Sequence, residues 1–239
     1  MIKLSVVIPC FNEEGNIPVI LNNFEKIIHR DDIEIIFVDN GSTDNTYSVL
    51  KKIIPKYKFA RFERIKVNIG YGHGILFGLK KAKGIYLGWT HGDMQTSPKD
   101  VLKGLEIIEK SKKFNRIYVK GVREGRNITD QFFSMGMAII ESIFLGEIFW
   151  DINAQPNIFS RDLVDTFNKG PNDYSFDLYY YFIALKHNYK IIRFKVKFKD
   201  RLFGQSKWDV NWKSKFKFIF RTFIFTFQLK HFLKKNNFL

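Results

Sequence analysis

A chain of 239 residues accommodates one large α/β domain, or one domain with a C-terminal appendage, and two full domains are not expected. Its hydrophobic fraction of 45% and its 26 Phe argue against intrinsic disorder. The formal net charge of +15 is uneven, because residues 190–239 carry 14 Lys and Arg against 2 Asp, a net of +12. We expect this segment to face an anionic partner, such as a phospholipid surface, a phosphorylated substrate or nucleic acid, although a solvated basic tail is the alternative.

The single cysteine, Cys10, allows neither an intramolecular disulfide nor a cysteine metal site. Its place inside an apolar run favours an inert core thiol over a nucleophile. An apolar strand follows directly after Lys3, without the pattern of a secretion signal. We therefore expect the protein in the cytosol or peripherally on the cytoplasmic face of a membrane.

Apolar runs alternate with stretches of helical spacing through the first half of the chain. The predicted helices centre on Ile17 to Ile28, Val49 to Ile54, the stretch through Leu79 to Ala82, and Val101 to Ile108. The predicted strands are Leu4 to Cys10, Ile33 to Val38, Arg61 to Val67, Ile85 to Thr90 and Ile117 to Val122. This order predicts an α/β fold with a mostly parallel sheet, flanked by helices and joined by right-handed crossovers.

Beyond residue 122 the pattern changes. We predict a long apolar helix from Gln131 to about Phe149 and a short strand from Asn157 to Ser160. A helix around Tyr174 to Lys186 precedes an edge strand at Lys190 to Lys199, where apolar and basic residues alternate.

The last segment, Phe216 to Leu233, is rich in Phe and in basic residues. Charges interrupt it too often for a bilayer span, which needs about 20 mainly apolar residues. We predict a basic amphipathic helix lying at a membrane surface, so that 1–210 form the main domain and 211–239 a membrane-surface segment. A terminal helix packed on the core and a strand remain alternatives. At helical spacing, one side of this segment carries an apolar stripe of Phe216, Ile219, Phe220, Phe223 and Phe227, with Lys213, Lys217, Arg221 and Lys230 nearby.

Three polar segments follow predicted strands: Val6 to Glu14, Val38 to Asp44 and His91 to Gln95. The carboxyl ends of parallel strands converge on one crevice, where open α/β sheets bind ligands. Together these segments predict an enzyme. The glycine-rich run Gly70 to Gly74 would let the backbone approach a ligand closely, although such runs also form ordinary turns.

Five ordered segments resemble the family 2 inverting glycosyltransferases of the GT-A fold, which is Rossmann-like. Phe203 to Trp208, preceded by Asp200 and Arg201, is most similar to polyprenyl-phosphate sugar synthases of the dolichyl-phosphate mannosyltransferase type. The resemblance implies transfer of a sugar from a nucleoside-diphosphate donor to a lipid-linked acceptor, a polyprenyl phosphate or a glycan, with inversion at C1. Such reactions serve cell-surface glycan or glycolipid biosynthesis. The five segments are Val6 to Glu14, Val38 to Asp44, Asn68 to Gly78, Gly84 to Gln95 and Phe203 to Trp208.

On the donor side, the resemblance implies an aromatic ring packed against the base and carboxylates that bind polar groups of the nucleotide. Asp39, at a strand end, suits the base or the ribose hydroxyls, whereas Asp44 is better suited to capping a helix. Loop geometry alone is an alternative explanation for Pro9 and Asn12. The implied donor-binding residues are Pro9, Phe11, Asn12, Glu13, Asp39 and Gly70.

The diphosphate of the donor needs a cation, and Mg²⁺ or Mn²⁺ prefers oxygen ligands from carboxylates and phosphates. The resemblance implies Asp93 as the metal ligand, with Gln95 as a direct or water-mediated partner. His91 stands where the family has its first carboxylate, so metal binding should be weaker and metal use is left open. A hydrogen-bonded loop histidine is the alternative for His91. Asn40 likewise stands where the family has its second acidic residue after the second strand.

Phosphate-binding bases implied by the resemblance are Arg123, Arg201 and Lys207, which could offset the charge of the leaving group. Solvated side chains are their alternative. Asp151 lies where inverting members place a catalytic base or an acceptor-site acid, and it is predicted as catalytic together with Asp93. A hydroxyl acceptor needs a base. A polyprenyl phosphate is already ionised, so there Asp151 need only organise the site.

Other functions are disfavoured. The first strand is followed by neither the loop of a nucleotidyltransferase nor the Gly-x-Gly-x-x-Gly turn of a dinucleotide enzyme. A nucleic-acid binder is suggested only by charge, so nucleic acid is not expected as a partner. A non-catalytic or metal-independent GT-A relative acting as a binding or scaffold protein remains the alternative, given His91 and Asn40. The expected partners are a nucleoside-diphosphate sugar, a lipid-linked acceptor and an anionic membrane surface.

Overall fold

Seven strands form one mixed sheet in the computed structural model, which describes residues 1–111, 113–199 and 212–235. The strands are β1 (Leu4–Cys10), β2 (Ile33–Asn40), β3 (Ala60–Ile65), β4 (Tyr86–Trp89), β5 (Ile117–Glu124), β6 (Asn157–Ser160) and β7 (Lys190–Lys197). Their order across the sheet is β3-β2-β1-β4-β6-β5-β7. The described part of the sheet thus confirms the predicted α/β class and the mostly parallel arrangement.

The helices cover both faces of the sheet. They are α1 (Asn16–Glu25), α2 (Thr46–Ile53), α3 (Tyr71–Lys81), α4 (Pro98–Lys110), α5 (Ile128–Leu145), α6 (Asp162–Thr166), α7 (Phe176–Lys186) and α8 (Trp212–Lys235). One apolar layer packs α1, α2 and α4 against the sheet. The other holds α3, α5, α7 and α8. Since both faces are covered, the central strands are apolar throughout rather than alternating.

Strand β6 runs against its neighbours. Leu87 of β4 and Tyr118 of β5 both pair with Phe159 of β6 in antiparallel register, whereas β7 pairs with β5 in parallel. The residues of β6 were predicted correctly, but the sequence pattern carries no information on its direction. Strand β4, which delivers His91 to Gln95, keeps its parallel pairing with β1.

Helix α5 begins and ends earlier than predicted. Asn127 caps its start by accepting a hydrogen bond from the Thr129 backbone N–H at 3.3 Å. Gly146 ends it in the left-handed region at φ 71°, a conformation that glycine adopts without strain. The short helix α6 was not predicted, because five residues carry too little periodicity.

The predicted C-terminal helix is present as α8, and its inner side packs on the domain. Leu229 and Leu233 are buried in the apolar layer, and the Phe232 ring lies 5.5 Å from that of Tyr179. The core-packing alternative therefore holds for this side, and the strand alternative is wrong. The side chains of 212–219, 221 and 222 lie outside the described part, and the division of the chain at residue 210 stays a prediction.

Candidate functional site

The loops after β1 and β2 are joined by Asn12. Its Oδ1 accepts hydrogen bonds from the Thr43 N–H at 2.9 Å and the Asp44 N–H at 3.4 Å, and its own N–H donates to Ser42 Oγ at 3.1 Å. Asn12 lies in the left-handed region at φ 59°, which Asn tolerates better than most residues. These contacts give Asn12 a loop-building role, and its predicted contact with the donor remains a prediction.

Asp39, the second-last residue of β2, is a buried carboxylate. Its Oδ1 accepts a hydrogen bond from the Ser42 N–H at 3.0 Å. Its Oδ2 accepts no hydrogen bond from the described residues, and Arg64 Nε lies 3.3 Å away as an ion pair. Buried polar atoms are almost always hydrogen-bonded, so this oxygen is suited to receive a donor from a ligand.

Arg64 was missed by sequence reasoning. It is the second-last residue of β3 and lies next to Asp39, with which it pairs in register. Its guanidinium carbon lies over the Tyr47 ring, 3.7 Å from the ring centroid, and this cation–π contact helps to hold the guanidinium beside the carboxylate. The only sequence signal was a basic residue near the end of a predicted strand.

Pro9, Phe11 and Glu13 lie along the end of β1 and the loop that follows. Pro9 lies within the strand, and the Phe11 ring is partly exposed above it. The Glu13 N–H donates to Thr46 Oγ1 at 2.8 Å, and its carboxylate accepts from the Asn16 side chain. Burial, followed by the charges of Glu13 and other nearby carboxylates, raises the pKa of the Cys10 thiol, as expected for an unreactive core cysteine.

Gly70 approaches protein backbone closely. A Cβ there would lie 2.2 Å from the Asn172 carbonyl oxygen, and its φ of 141° is strained for other residues. Its carbonyl accepts a hydrogen bond from Asn40 Nδ2 at 2.9 Å. The close approach in this structure is therefore to residue 172, and the nucleotide contact of Gly70 stays a prediction.

Three rings are stacked between the loops. Tyr71 lies between His91 and Tyr174, at centroid distances of 6.0 Å and 5.1 Å. The predicted metal residue His91 thus packs against the start of α3. The stack links the loop after β4 to the segment before α7, a relationship between distant segments that the sequence does not signal.

The loop after β4 holds Asp93 and Gln95. Asp93 is buried, and its Oδ1 accepts from the Gln95 N–H at 3.1 Å. The Gln95 carbonyl accepts from the Lys199 N–H at 2.9 Å, which links the loop to the residues just after β7. Within the described ranges, no three His, Cys, Asp or Glu side chains cluster as a metal site. One carboxylate fits a cation that takes its other ligands from donor phosphates and water.

Asp151 and Arg123 form a largely buried ion pair. Asp151 Oδ2 accepts from the Arg123 backbone N–H at 2.7 Å, and Oδ1 accepts from Arg123 Nε at 2.8 Å and from Nη2. Arg126 lies 4.0 Å away. Burial acts to raise the pKa of Asp151, but the charge and hydrogen bonds of Arg123 outweigh it and hold the pKa below the ordinary value. The structure brings together two residues predicted to act separately.

Beneath this pair lies a buried polar network. Lys120 Nζ donates to the Ala154 carbonyl and to Asn157 Oδ1, both at 2.8 Å. Asp177 Oδ1 accepts from Gln155 Nε2 at 2.7 Å and from Trp89 Nε1 at 3.0 Å. Burial lowers the pKa of Lys120 to about 7. The network fixes the loop that carries Asp151, and a lysine inside the apolar strand was its one overlooked signal.

Arg201 and Lys207, predicted to bind phosphate, lie outside the described residues, as does the motif Phe203 to Trp208. The last described residue before them is Lys199, whose carbonyl accepts a hydrogen bond from Gln95 Nε2 at 3.3 Å. Both assignments therefore remain predictions.

These loops lie at one edge of the sheet, and the family follows from the sequence. Residues 5–166 match the family described as Glycosyl transferase family 2, and the chain belongs to that family. This confirms the family recognised from the five segments.

Curated relatives are similar over part of the chain. A dolichol-phosphate mannosyltransferase from Pyrococcus furiosus is 27% identical over 61% of this chain and 42% of its own length. A dodecaprenyl-phosphate galacturonate synthase from Rhizobium johnstonii is 30% identical over 46% of this chain and 33% of its own. The chain thus spans about a third to two fifths of the length of these two relatives.

Solved structures share the fold. Glucosyl-3-phosphoglycerate synthase from Mycobacterium tuberculosis, in complex with Mn²⁺, UDP and phosphoglyceric acid, superposes with a TM-score of 0.71 at 16% identity, covering 95% of this chain and 78% of that one. A mannosyltransferase from Pyrobaculum calidifontis, in complex with GDP-Man and Mn²⁺, gives 0.63 at 18% identity over 82% and 56%. The GT-A fold class is confirmed.

Proposed function

We propose that this chain transfers a sugar from a nucleoside-diphosphate donor to a polyprenyl phosphate, with inversion at C1, on the cytoplasmic face of a membrane. Family membership and the two relatives named as polyprenyl-phosphate enzymes support this acceptor class. The reaction forms a bond from an acceptor phosphate oxygen to C1 while the bond from C1 to the diphosphate breaks. The electron pair of that bond leaves with the nucleotide.

On the donor side, Asp39 Oδ2, which is ion-paired with Arg64 but accepts no hydrogen bond from the described residues, is the acceptor for an N–H or O–H of the nucleotide, and the Phe11 ring packs against the base. Asp93, with Gln95 beside it, would hold Mg²⁺ or Mn²⁺ together with the donor phosphates. A cation there supplies charge neutralisation for the leaving diphosphate. The residues of this chain bind and orient the donor so that C1 faces the acceptor side.

The choice of acceptor depends on one observation, that the carboxylate of Asp151 is already hydrogen-bonded and ion-paired within the protein. Both of its oxygens accept hydrogen bonds from Arg123, and the pair holds its pKa low. Such a carboxylate is a weak general base. An ionised phosphate needs no base, so this geometry favours a phosphate acceptor over a hydroxyl, with the pair organising the acceptor side.

The test begins with a screen of UDP-, GDP- and other activated sugars in the presence of Mg²⁺ or Mn²⁺. Each sugar is tested for protection of the protein against thermal unfolding, since a ligand that binds the folded state raises its stability. The donor that protects is then offered to a polyprenyl phosphate and, as the matched control, to the corresponding polyprenol. We expect glycosylation of the phosphate alone. Transfer to the alcohol would reject the phosphate acceptor. If the protein neither transfers the sugar nor hydrolyses the donor, the result would favour a non-catalytic relative.

Replacing His91 with Asp should tighten the binding of Mn²⁺ about tenfold in the presence of the nucleotide, because it restores a second carboxylate beside Asp93. His91→Ala is the matched control, which removes the same stacking on Tyr71 without adding charge. The effect is measured by titrating Mn²⁺ in the presence of the nucleotide and recording the rise in the thermal unfolding midpoint. Equal affinity in both variants would show that position 91 does not face the cation.

A further inference from the structure

The inner side of α5 carries a buried glutamate. Ala138, Glu141 and Leu145 are the buried residues of this helix, and their spacing of three and four positions places them on the side that packs against the domain. Glu141 is 6% exposed. A glutamate is almost never buried to this extent without a partner, so Glu141 stands out on this side of the helix.

No described residue donates a hydrogen bond to the carboxyl group of Glu141 or forms an ion pair with it. Burial alone acts on its pKa and raises it from the ordinary value of 4.5 to about 8. At neutral pH the group is therefore a carboxylic acid. In this form it has an O–H that can donate a hydrogen bond, which an ionised carboxylate lacks.

Glu141 lines a cavity of about 60 Å³ between α5, α7 and α8. The walls combine polar residues, such as Arg123 and Ser175, with apolar ones, such as Ile152 and Leu178. Pockets that hold a whole small-molecule ligand measure about 300–1,000 Å³. This smaller cavity suits a polar headgroup of a few atoms that is attached to a hydrocarbon chain.

Arg123 keeps one nitrogen available for a ligand. Its Nε and Nη2 donate to Asp151, whereas its Nη1 donates no hydrogen bond to the described residues. A guanidinium N–H that meets an anion forms a charge-assisted hydrogen bond, which is stronger than a neutral one. The cavity thus has a cationic donor in Arg123 and a neutral donor in Glu141.

We infer that Glu141, as a neutral carboxylic acid, donates a hydrogen bond to the acceptor phosphate beside Arg123. The identity of this ligand rests on the proposed function. A phosphate dianion has lone pairs for both donors. An ionised Glu141 would instead repel it, because like charges in one site disfavour each other. Affinity for the acceptor should therefore depend on the protonation of Glu141.

Other titratable groups lie near Glu141. Within the described part of the chain, Arg123 and Tyr174 line the cavity with it, from β5 and from the segment before α7, while α8 contributes Thr226, which does not titrate. Behind Arg123, the pKa of Lys120 is lowered to about 7, so this lysine also loses its charge near neutral pH. A comparison of Glu141 variants, rather than one pH profile, therefore isolates Glu141.

The test measures the binding of geranyl phosphate, a short prenyl phosphate, to the full chain at pH 7 and pH 9 by isothermal titration calorimetry. With a pKa of about 8, the protonated fraction of Glu141 falls from about nine tenths to about one tenth over this range. Glu141→Gln keeps a neutral donor of the same shape at both pH values. The affinity should therefore fall about tenfold more in the wild type than in this variant.

The matched control is Glu106→Gln, which makes the same change at an exposed position of α4 and should keep the wild-type pH dependence. Glu141→Leu removes the donor, and at pH 7 it should bind at least about tenfold more weakly than Glu141→Gln. Thermal unfolding shows that the variants are folded.

The raised pKa also has a signature in stability. The folded protein retains the Glu141 proton that the unfolded chain releases above about pH 4.5. The wild type should therefore lose stability relative to Glu141→Gln as the pH rises from about 4.5 to about 8. Denaturant unfolding measures this, and an identical pH dependence of the two proteins would overturn the neutral state that the inference requires.

An equal fall in affinity between pH 7 and pH 9 in the wild type and in Glu141→Gln would overturn the inference and leave the proposed function standing. A wild-type protein that binds no geranyl phosphate at pH 7 would reject the phosphate acceptor of the proposed function, and the inference with it. A tenfold fall confined to the proteins that keep Glu141 supports the inference.

Discussion

Asp93→Asn is expected to lower the rate of sugar transfer about 1,000-fold while the fold is retained. The substitution keeps the shape of the side chain and an oxygen that can accept from the Gln95 N–H, but it removes the charge offered to a cation. Metal-assisted neutralisation of a leaving group contributes several kcal/mol, and each 1.36 kcal/mol is about a tenfold change in rate. Initial rates at saturating donor and Mg²⁺ or Mn²⁺ measure the effect.

The control for this experiment is Asp31→Asn, which removes the same charge from an exposed position. It should transfer at the wild-type rate. The midpoint of thermal unfolding should be close to that of the wild type for both variants. A wild-type rate for Asp93→Asn would reject Asp93 as the cation ligand.

The parts of the fold that follow from local pattern were predictable. The ends of β1 and β6 agree with the sequence prediction, and Ser97 caps α4 directly before Pro98. The predicted ends of α5 were wrong. Many apolar residues of this helix lie on its exposed side, so the apolar pattern does not mark where the helix begins and ends against the core. The direction of β6 depends on its neighbours in the folded sheet, and local periodicity does not report it.

The candidate site could likewise be predicted only in part. Asp39 and Asp93 follow strands in sequence, so their convergence could be foreseen from parallel topology. Arg64 and the ring stack at Tyr71 depend on the register between distant segments. The two faces of α8 were both predicted, as alternatives, and the structure places one on the core and leaves the other exposed.

The Arg123–Asp151 pair is expected to matter for stability as well as for transfer. Arg123→Met leaves the largely buried carboxylate of Asp151 without its hydrogen-bonded partner, although Arg126 still lies 4.0 Å away. Removing one member of a fully buried pair costs about 3–5 kcal/mol, which is the upper bound here. Combining it with Asp151→Asn should recover part of this loss, because no uncompensated charge then remains. Denaturant unfolding of the wild type, both single variants and the double variant gives the coupling between the two residues.

The pH dependence separates an organising role of Asp151 from a role as base. Its pKa is lowered in the folded protein, so the pair stabilises the fold above the ordinary carboxyl pKa and loses this effect only as the pH falls through the lowered value. Between pH 5 and 8 Asp151 therefore stays ionised. The rate of transfer should instead fall below about pH 6, where a phosphate monoester takes up a proton.

In Asp151→Asn, the proposed role predicts a lower rate with the same fall near pH 6, because the titrating group belongs to the acceptor. A catalytic base would give the opposite result. Because the pKa of Asp151 is low, the wild-type rate would then stay flat between pH 5 and 8, and the residual rate of the variant would rise with hydroxide concentration. Profiles of kcat for both proteins at saturating donor and acceptor decide between the two. A flat wild-type profile together with a hydroxide-dependent variant would reject the organising role of the Arg123–Asp151 pair.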